Sequence, residues 1–281
     1  MKFIEGKTFG EERALYNLKD AVVDKCNFEG EEDGESALKE ARNIKVTNST
    51  FKLRYPLWHV NTFTIDKVTL DDTARAPLWY CKNGNIKNVT IRCVKALRET
   101  CDVNIDSADI QSTEFGWKCD NIKMTNTTIT SEYLFFDSKN ITLKEVTMKG
   151  KYSFQYIENL TIENCNLDTK DAFWHTDNVV VKNSTIKGEY LAWFASNITF
   201  INCIIIGTQP LCYCKNLKLI NCTMIDCDLS FEYSDVDATI IGVVESIKNP
   251  SSGKIVADKI NKIILEDSIM DNNCIIIDKS K

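Results

Sequence analysis

The chain has 281 residues and a formal net charge of −6, with 34 Lys and Arg against 40 Asp and Glu. This acidic balance argues against a nucleic-acid partner, because proteins that bind nucleic acid usually present a basic face. No apolar run approaches the roughly 18 residues of a membrane span, and the first twenty residues carry charges throughout. We therefore expect no membrane partner, no secretory signal and a cytoplasmic location.

Twelve cysteines are scattered along the chain. Without a secretory signal, this pattern predicts reduced side chains that are buried as small apolar groups rather than a disulfide framework. There is no C-x-x-C motif, and Cys212 and Cys214 have no neighbouring His to complete the four ligands of a zinc site. We therefore expect neither a metal nor a cofactor.

Apolar residues recur along the chain in a fixed order. Near the N-terminus Ile44 and Val46 map on Phe63 and Ile65, and within each such unit the apolar residues alternate, which indicates short strands. The segment Glu35–Ala41 has a helix-like composition, but it aligns with the strand-like segment around Trp58, so we predict a strand there as well. Two extra residues lie within the segment 71–77, since Leu57 and Leu78 are 21 residues apart.

From residue 121 onward the period is 19 residues and asparagine marks it twice per unit. Asn tolerates the left-handed backbone of a turn and can hydrogen-bond to an identical residue stacked above it. The first series is Asn121, Asn140, Asn159, Asn178, Asn197 and Asn216, and the second is Asn126, Glu145, Asn164, Asn183, Asn202 and Asn221.

Strands that repeat every 19 residues with equivalent residues in register predict a coil in which each turn stacks on the last, about 4.8 Å apart. The rungs N-I-K-V-T-N-S-T-F, A-F-W-H-T-D-N-V and Q-P-L-C-Y-C-K-N-L-K-L-I-N-C resemble the right-handed parallel β-helix of the pectin-lyase-like superfamily. They are also similar to a bacterial family of unknown function with that fold. The predicted fold is therefore an all-β, right-handed, single-stranded parallel β-helix with asparagine ladders.

The repeat predicts a single domain over residues 1–281. Residues 36–244 are expected to form the regular rungs. Residues 1–35 are expected to cap the first open sheet edge, and residues 245–281 to form a last rung and close the other, because uncapped edges invite aggregation.

All five tryptophans fall in one column of the repeat, on the third strand of each rung. The charged members of this column would be costly inside the coil, so we expect the column to face outward. Regularly spaced indoles rimmed by polar groups suit the binding of an oligo- or polysaccharide. The expected ligand-binding residues are Trp58, Trp79, Trp117, Trp174 and Trp193, with His59, Tyr80, Tyr156, Tyr213 and Glu232 from the next column.

Two alternatives compete with this interpretation. An outward apolar ladder is also typical of a protein interface, so the chain could be a non-enzymatic scaffold that forms a homo-oligomer through its aromatic face. The third option is an inward aromatic stack that only fills the core.

A catalytic site has weaker support. Asp137 and His175 lie two periods apart, about 10 Å at roughly 4.8 Å per rung, on either side of Tyr156. His175 would act as general acid or base, with Asp137 or Asp177 as its partner; a His without chemistry is the competing interpretation.

The inserted loop is a second candidate site, through Asp71, Asp72 and Arg75. Paired carboxylates can act in hydrolysis, and the superfamily resemblance implies a glycoside hydrolase or a polysaccharide lyase if the protein is an enzyme. The G-H-G and R-x-K motifs of polygalacturonases are absent, so whether it is an enzyme stays open.

Overall fold

The computed structural model describes residues 1–31 and 34–281. The chain divides into two compact units, Met1–Thr142 and Leu143–Lys281. Both are built from short parallel strands, and the described residues make about 14 turns of a parallel β-solenoid. One short 3-10 helix, Asp72–Ala74, is found among the described residues, and no helix there is long and apolar enough to span a bilayer.

The first unit contains seventeen strands, two or three in each turn, and an eighteenth crosses into the second unit. They are β1 (Lys2–Glu5), β2 (Thr8–Phe9), β3 (Lys19–Asp24), β4 (Asn27–Phe28), β5 (Arg42–Thr47), β6 (Thr50–Phe51), β7 (Asn61–Asp66), β8 (Thr69–Leu70), β9 (Lys82–Lys87), β10 (Thr90–Arg92), β11 (Lys95–Arg98), β12 (Cys101–Asp106), β13 (Asp109–Gln111), β14 (Glu114–Trp117), β15 (Asp120–Thr125), β16 (Thr128–Ser131), β17 (Tyr133–Leu134) and β18 (Lys139–Lys144).

The second unit continues the same alternation and ends in longer strands. They are β19 (Thr147–Gly150), β20 (Glu158–Glu163), β21 (Asn166–Asp168), β22 (Asp177–Lys182), β23 (Thr185–Lys187), β24 (Ser196–Ile201), β25 (Ile204–Ile206), β26 (Leu217–Ile225), β27 (Asp235–Lys248), β28 (Ser252–Ile264) and β29 (Ile275–Asp278).

Each strand pairs in parallel with its equivalent one turn away, so equivalent residues form columns. In the first unit one inward column runs through Ala21, Ile44, Phe63, Gly84, Val103 and Ile122. In the second unit another runs through Ile162, Val181, Phe200 and Leu219. These side chains are buried, and removing them from water is the main favourable term in folding the coil.

The asparagines occupy the corners with a left-handed backbone, as predicted. Asn178 and Asn197 have φ of 57° and 52°, a conformation that Asn adopts more readily than most residues. The amide of Asn178 donates to the side chain of Asn159 at 2.7 Å, and the amide of Asn216 donates to that of Asn197 at 2.8 Å. These bonds are the predicted ladders.

The third side of each turn differs from the predicted strand. Only β11, β14 and β17 are strands there, and the segment Ala37–Glu40 is a turn. Leu57 and His59 have φ of 60° and 57°, on either side of Trp58. The side chains still alternate between inside and outside, which is why the period resembles that of a strand.

The cysteines are free thiols, and ten of the twelve are buried. Many occupy corner positions that Ser or Thr fill in neighbouring turns. The thiol of Cys119 lies 3.5 Å from the carbonyl oxygen of Leu97, and the backbone N–H of Cys119 donates to the Ser138 hydroxyl at 2.9 Å. Cysteine therefore acts here as a small hydrogen-bonding side chain, in addition to filling space as predicted.

The ends of the chain are built from the same elements. Strands β1 and β3 pair in parallel, and β3 pairs with β5, so coiling is already present before residue 36. In the second unit β27 pairs with β28 along most of its length and β28 pairs with β29. The side chain of Asp278 makes an ion pair with Lys281 at 3.2 Å.

Candidate functional site

The tryptophan column lies on the outer side of the coil. The preceding residue of each turn is buried, as for Leu57, Leu78 and Phe173, whereas the five tryptophans are half-buried. This is the orientation that the charged members of the column predict.

The indole N–H groups are all bonded to the backbone of the following turn. Each donates to a carbonyl oxygen 16 or 18 residues ahead, at 2.7 to 2.9 Å. The pairs are Trp58 with Ala76, Trp79 with Lys95, Trp117 with Tyr133, Trp174 with Tyr190, and Trp193 with Gln209. Each tryptophan therefore ties two turns together, and its one polar atom is satisfied within the chain.

The indole faces are stacked on one another. In the first unit the rings of Trp58 and Trp79 are 5.0 Å apart and nearly parallel, at 4°. The guanidinium of Arg98 lies 4.8 Å from the Trp79 ring and 4.9 Å from the Trp117 ring. In the second unit Trp174 and Trp193 are 5.6 Å apart at 7°. These stacks turn ring edges rather than ring faces to the outside.

The neighbouring column forms a second set of stacks. His59 lies 4.7 Å from Tyr80. In the second unit Tyr156, His175, Phe194 and Tyr213 follow one another with ring centroids 4.9, 5.1 and 4.7 Å apart. Tyr156 and Phe194 are exposed, so the second unit carries a ridge of ring edges.

Glu232 does not lie in the column in which the sequence placed it. Tyr233 stacks on Tyr213 instead, with 5.6 Å between ring centroids, because this turn is one residue longer than the period. Glu232 occupies the position of the tryptophan column and makes an ion pair with Lys248 at 2.8 Å.

The proposed catalytic residues are all exposed. The ring of His175 lies between those of Tyr156 and Phe194 in the second unit. Asp177 accepts a hydrogen bond from the Asn197 amide at 2.7 Å, and Asp137 belongs to the first unit. Their role in catalysis stays a prediction.

The inserted loop lines a groove of about 600 Å³ in the first unit. This volume is in the range of small-molecule sites, roughly 300–1,000 Å³. The lining residues come from four successive turns at one corner of the coil: Gly30, Glu31 and Gly34; Lys52, Leu53 and Arg54; Asp72, Thr73 and Arg75; Val94 and Lys95.

The groove exists because long and short turns alternate. Paired residues are 23 apart from Ala21 to Ile44, 19 from Ile44 to Phe63, and 21 from Phe63 to Gly84. The two longer turns project as walls, and the 19-residue turn between them forms the floor, with Leu53 buried at its base.

The wall formed by the insertion has a strained backbone. The Asp71 carboxylate accepts the Thr73 N–H at 3.0 Å and caps the 3-10 helix. Arg75 then has φ 54° and ψ −61°, and the Ala76 N–H donates to the Ala74 carbonyl at 2.6 Å. This is a γ-turn of the rare, strained kind, and such strain costs on the order of 1–3 kcal/mol.

The next turn holds Arg75 in place. The Lys95 N–H donates to the Arg75 carbonyl at 3.0 Å, and Trp58 bonds to the adjacent Ala76 carbonyl at 2.7 Å. The exposed guanidinium of Arg75 makes no ion pair with any residue of 1–31 or 34–281. Its charge is thus available to a ligand in the groove.

The other charged groups of the groove are paired at its rim. Lys52 binds Glu29 at 2.8 Å, and this raises the pKa of Lys52. Lys95 lies 3.3 Å from Glu114.

Sequence reasoning identified Asp72 and Arg75 but missed Lys52, Leu53, Arg54, Val94 and Lys95. The spacing of 23 from Ala21 to Ile44 was a usable signal, because two long turns around a regular one must leave a recess. The structure brings Asp71, Asp72 and Arg75 near the backbone to which Trp58 and Trp79 bond, but it does not bring them near His175. Within the described part of the chain, no group of three or more His, Cys, Asp or Glu could hold a metal ion.

Comparison with sequence families gives one match. The model described as "Protein of unknown function (DUF3737)" covers residues 2–278. The chain belongs to this family. None of the curated proteins matches the chain.

Solved structures that resemble this DUF3737 protein are distant in sequence. The A-module of the mannuronan C-5 epimerase AlgE6 of Azotobacter vinelandii is 10% identical, with 93% of this chain and 88% of that chain covered and a TM-score of 0.38. The surface protein and adhesin PfbA of Streptococcus pneumoniae is 10% identical, with 98% and 91% covered and a TM-score of 0.38.

Proposed function

We propose that the protein binds carbohydrate, and that an oligosaccharide lies in the groove beside Arg75. The observation that carries the proposal is a recess lined by four successive turns, with a strained, unpaired arginine on its wall. Backbone strain that the surrounding structure maintains is often found at ligand sites.

The shape of the groove favours an extended ligand. Four turns at roughly 4.8 Å each give a recess that runs along the coil axis for about 15 Å. It is open along one side of the coil, which suits a chain molecule that enters laterally and continues beyond both ends.

The lining chemistry suits a sugar chain. Arg75 and Lys95 offer N–H donors, Glu31 and Asp72 offer carboxylate acceptors, and Leu53 and Val94 provide apolar contact. Sugar rings present hydroxyl groups at their edges and C–H groups on their faces, so they need this mixture of charged hydrogen-bonding groups over an apolar floor.

The tryptophans enter this proposal in two ways. Trp58 and Trp79 bond to the backbone at Ala76 and Lys95, so they position the wall of the groove. Direct contact with a sugar ring stays a proposal for the tryptophan column and for Tyr80 beside it, since stacking leaves mainly ring edges to a ligand.

Binding is tested by titrating neutral and acidic oligosaccharides while following tryptophan fluorescence and heat. We expect a saturable signal for at least one glycan class. Arg75→Ala should weaken this binding by about 10- to 100-fold, the value of one or two charge-assisted hydrogen bonds.

Arg42→Ala is the matched control, because Arg42 is also exposed in the first unit but lies on β5, outside the groove. It should bind like the parent protein. The proposal is wrong if no glycan class binds, or if Arg75→Ala binds as tightly as Arg42→Ala.

A hydrolase or lyase activity would be a further property of this site. Incubation with the bound glycan, followed by assays for new reducing ends and for unsaturated products, distinguishes a binding protein from either class of enzyme. If turnover is found, Asp72→Asn and His175→Ala separate the groove from the His175 site, because only one of them should abolish it.

Self-association through the aromatic ridge is the second candidate function. It is favoured by the exposure of Tyr156 and Phe194, since aromatic residues are enriched in protein interfaces. A chain carrying Tyr156→Ser and Phe194→Ser should then associate less in sedimentation velocity than the parent protein.

A further inference from the structure

The outward positions of the second strand change character within the second unit. In β21 and β23 these positions hold Asn166 and Asp168, then Thr185 and Lys187. In β25 they hold Ile204 and Ile206, which pair in turn with Thr223 and Ile225 of β26. The same backbone positions are thus polar in two turns and aliphatic in the next.

The aliphatic side chains continue across neighbouring strands. On β27, Ile241 pairs with Thr223 and is followed by the exposed Val243. Around the corner, Ile201 pairs with Ile220. We call this surface the aliphatic patch; it consists of Ile201, Ile204, Ile206, Ile220, Ile225, Ile241 and Val243.

The patch remains open to solvent in the folded chain. Ile204 is 39% exposed, Ile225 42%, Ile241 52% and Val243 45%. Single exposed aliphatic residues are normal, but a contiguous group of seven on adjacent strands is typical of an interaction surface. Nothing in the repeat requires it, because the turn with Thr185 and Lys187 folds in the same way.

Charges are arranged with opposite sign on the two sides of the patch. On the side of the preceding turn, Lys182 pairs in register with Ile201, and Lys187 with Ile206. On the other side lie Asp237, which pairs with Lys218, and Glu245, two residues after Val243. Lys259 also borders this side, next to Asp258, whose carboxylate binds Lys279 at 3.0 Å.

A twofold axis through the patch matches this arrangement. It would place the aliphatic residues of one copy on the same residues of another, and Lys182 and Lys187 of each copy opposite Asp237 and Glu245 of its partner. A twofold interface is self-complementary by symmetry, and aliphatic surfaces meet without donors or acceptors that have to be matched.

We propose that the aliphatic patch is the contact surface of a symmetric dimer of this chain. A patch of this kind covers on the order of several hundred Å², whereas a stable interface buries about 800 Å² per partner. The flanking charges therefore have to be included in the interface, and they set its register.

Sedimentation velocity over a range of concentrations tests the dimer. The test variant carries Ile204→Thr and Ile206→Lys, the residues that the preceding turn holds at these positions, so the coil tolerates them. We expect the parent protein to be dimeric and this variant to associate at least tenfold more weakly. Ile269→Thr is the control, because Ile269 is exposed but lies outside the patch, and it should leave the dimer unchanged.

A charge exchange tests the twofold arrangement. Glu245→Lys should weaken the dimer, and adding Lys187→Glu in the same chain should restore it, since each chain then offers the exchanged pair. A parent protein that is monomeric at every concentration would overturn the proposal. So would a patch variant that dimerises normally, with loss of the dimer only in the Tyr156→Ser and Phe194→Ser chain.

Discussion

The two units share one coil and differ in what they place on its outside. Inside, Leu57 and Leu78 of the first unit and Phe173 and Leu211 of the second occupy equivalent, fully buried positions. Outside, the first unit has a groove formed by turns of unequal length, and the second has an aromatic ridge and the aliphatic patch.

This difference shows that the inward columns determine the fold and the outward columns are free to vary. Inward positions lose solvent on all sides, so a wrong size or polarity there costs several kcal/mol. Outward positions tolerate Thr, Lys or Ile at equivalent places, as Lys187 and Ile206 show. Specific recognition is therefore to be sought in turns that depart from the common outer pattern.

The largest expected effect compares an inward with an outward aromatic residue in one turn. Phe173→Ala should lower the free energy of unfolding by about 3–5 kcal/mol, because it leaves a cavity in the core. Trp174→Ala removes a half-buried ring and one hydrogen bond and should cost about 2 kcal/mol. Urea denaturation measures both. An equal or larger loss for Trp174→Ala would show that the outer stack is as important to the fold as the core.

A smaller effect is expected where an inward column has a gap. Gly116 occupies the leucine position of its turn with φ 75°, and a Cβ there would lie 2.4 Å from the Phe135 ring. Gly116→Leu should therefore cost about 1–3 kcal/mol through overpacking. Adding Phe135→Leu should restore most of this loss, since two leucines are stacked at equivalent positions in Leu57 and Leu78. If the double variant is less stable than Gly116→Leu alone, the columns are not interchangeable between turns.

Much of the fold was predictable because the repeat is written in the sequence. The asparagine series and the alternating apolar residues identify parallel turns without any long-range information. The backbone of the third side was not predictable, because left-handed residues such as Leu57 and His59 leave the same two-residue alternation as a strand.

The candidate site was predictable only in part. Asp72 and Arg75 were found because an insertion breaks the period. Lys52 and Lys95 look like ordinary surface residues, and they become part of a groove only when turns of different length are stacked. The stacking of the indoles could not be foreseen, because side-chain rotation about a correctly placed residue leaves no trace in the periodicity.

Thiol reactivity sharpens the contrast between inside and outside. Burial raises the pKa of Cys119 to about 12 and that of Cys227 to about 12, and the thiolate is the reactive form. Cys101 and Cys274 are the two cysteines that are only partly buried. A thiol reagent should therefore modify at most these two in the native protein and all twelve in urea. Rapid labelling of Cys119 or Cys227 without denaturant would show that the coil opens locally.

The smallest effect is a pH dependence of opposite sign in the two units. In the first unit, hydrogen bonds from Thr125 and Asn126 lower the pKa of Asp106, so its contribution is present above the unfolded pKa, about 3.9, and is lost as the pH falls. In the second unit, burial raises the pKa of Asp171, so its carboxylate is tolerated less well as the pH rises through the folded pKa.

Asn variants of both residues separate the two contributions. Asp106→Asn should lower the melting temperature at pH 7, and Asp171→Asn should raise it, because the amide carries no charge that has to lose its hydration. Both differences from the parent protein should shrink towards pH 3, where the wild-type carboxyl groups take up protons. Thermal melts at pH 7, 5 and 3 measure this, and a change of the same sign for both variants at pH 7 would mean that the environments of the two carboxylates are alike.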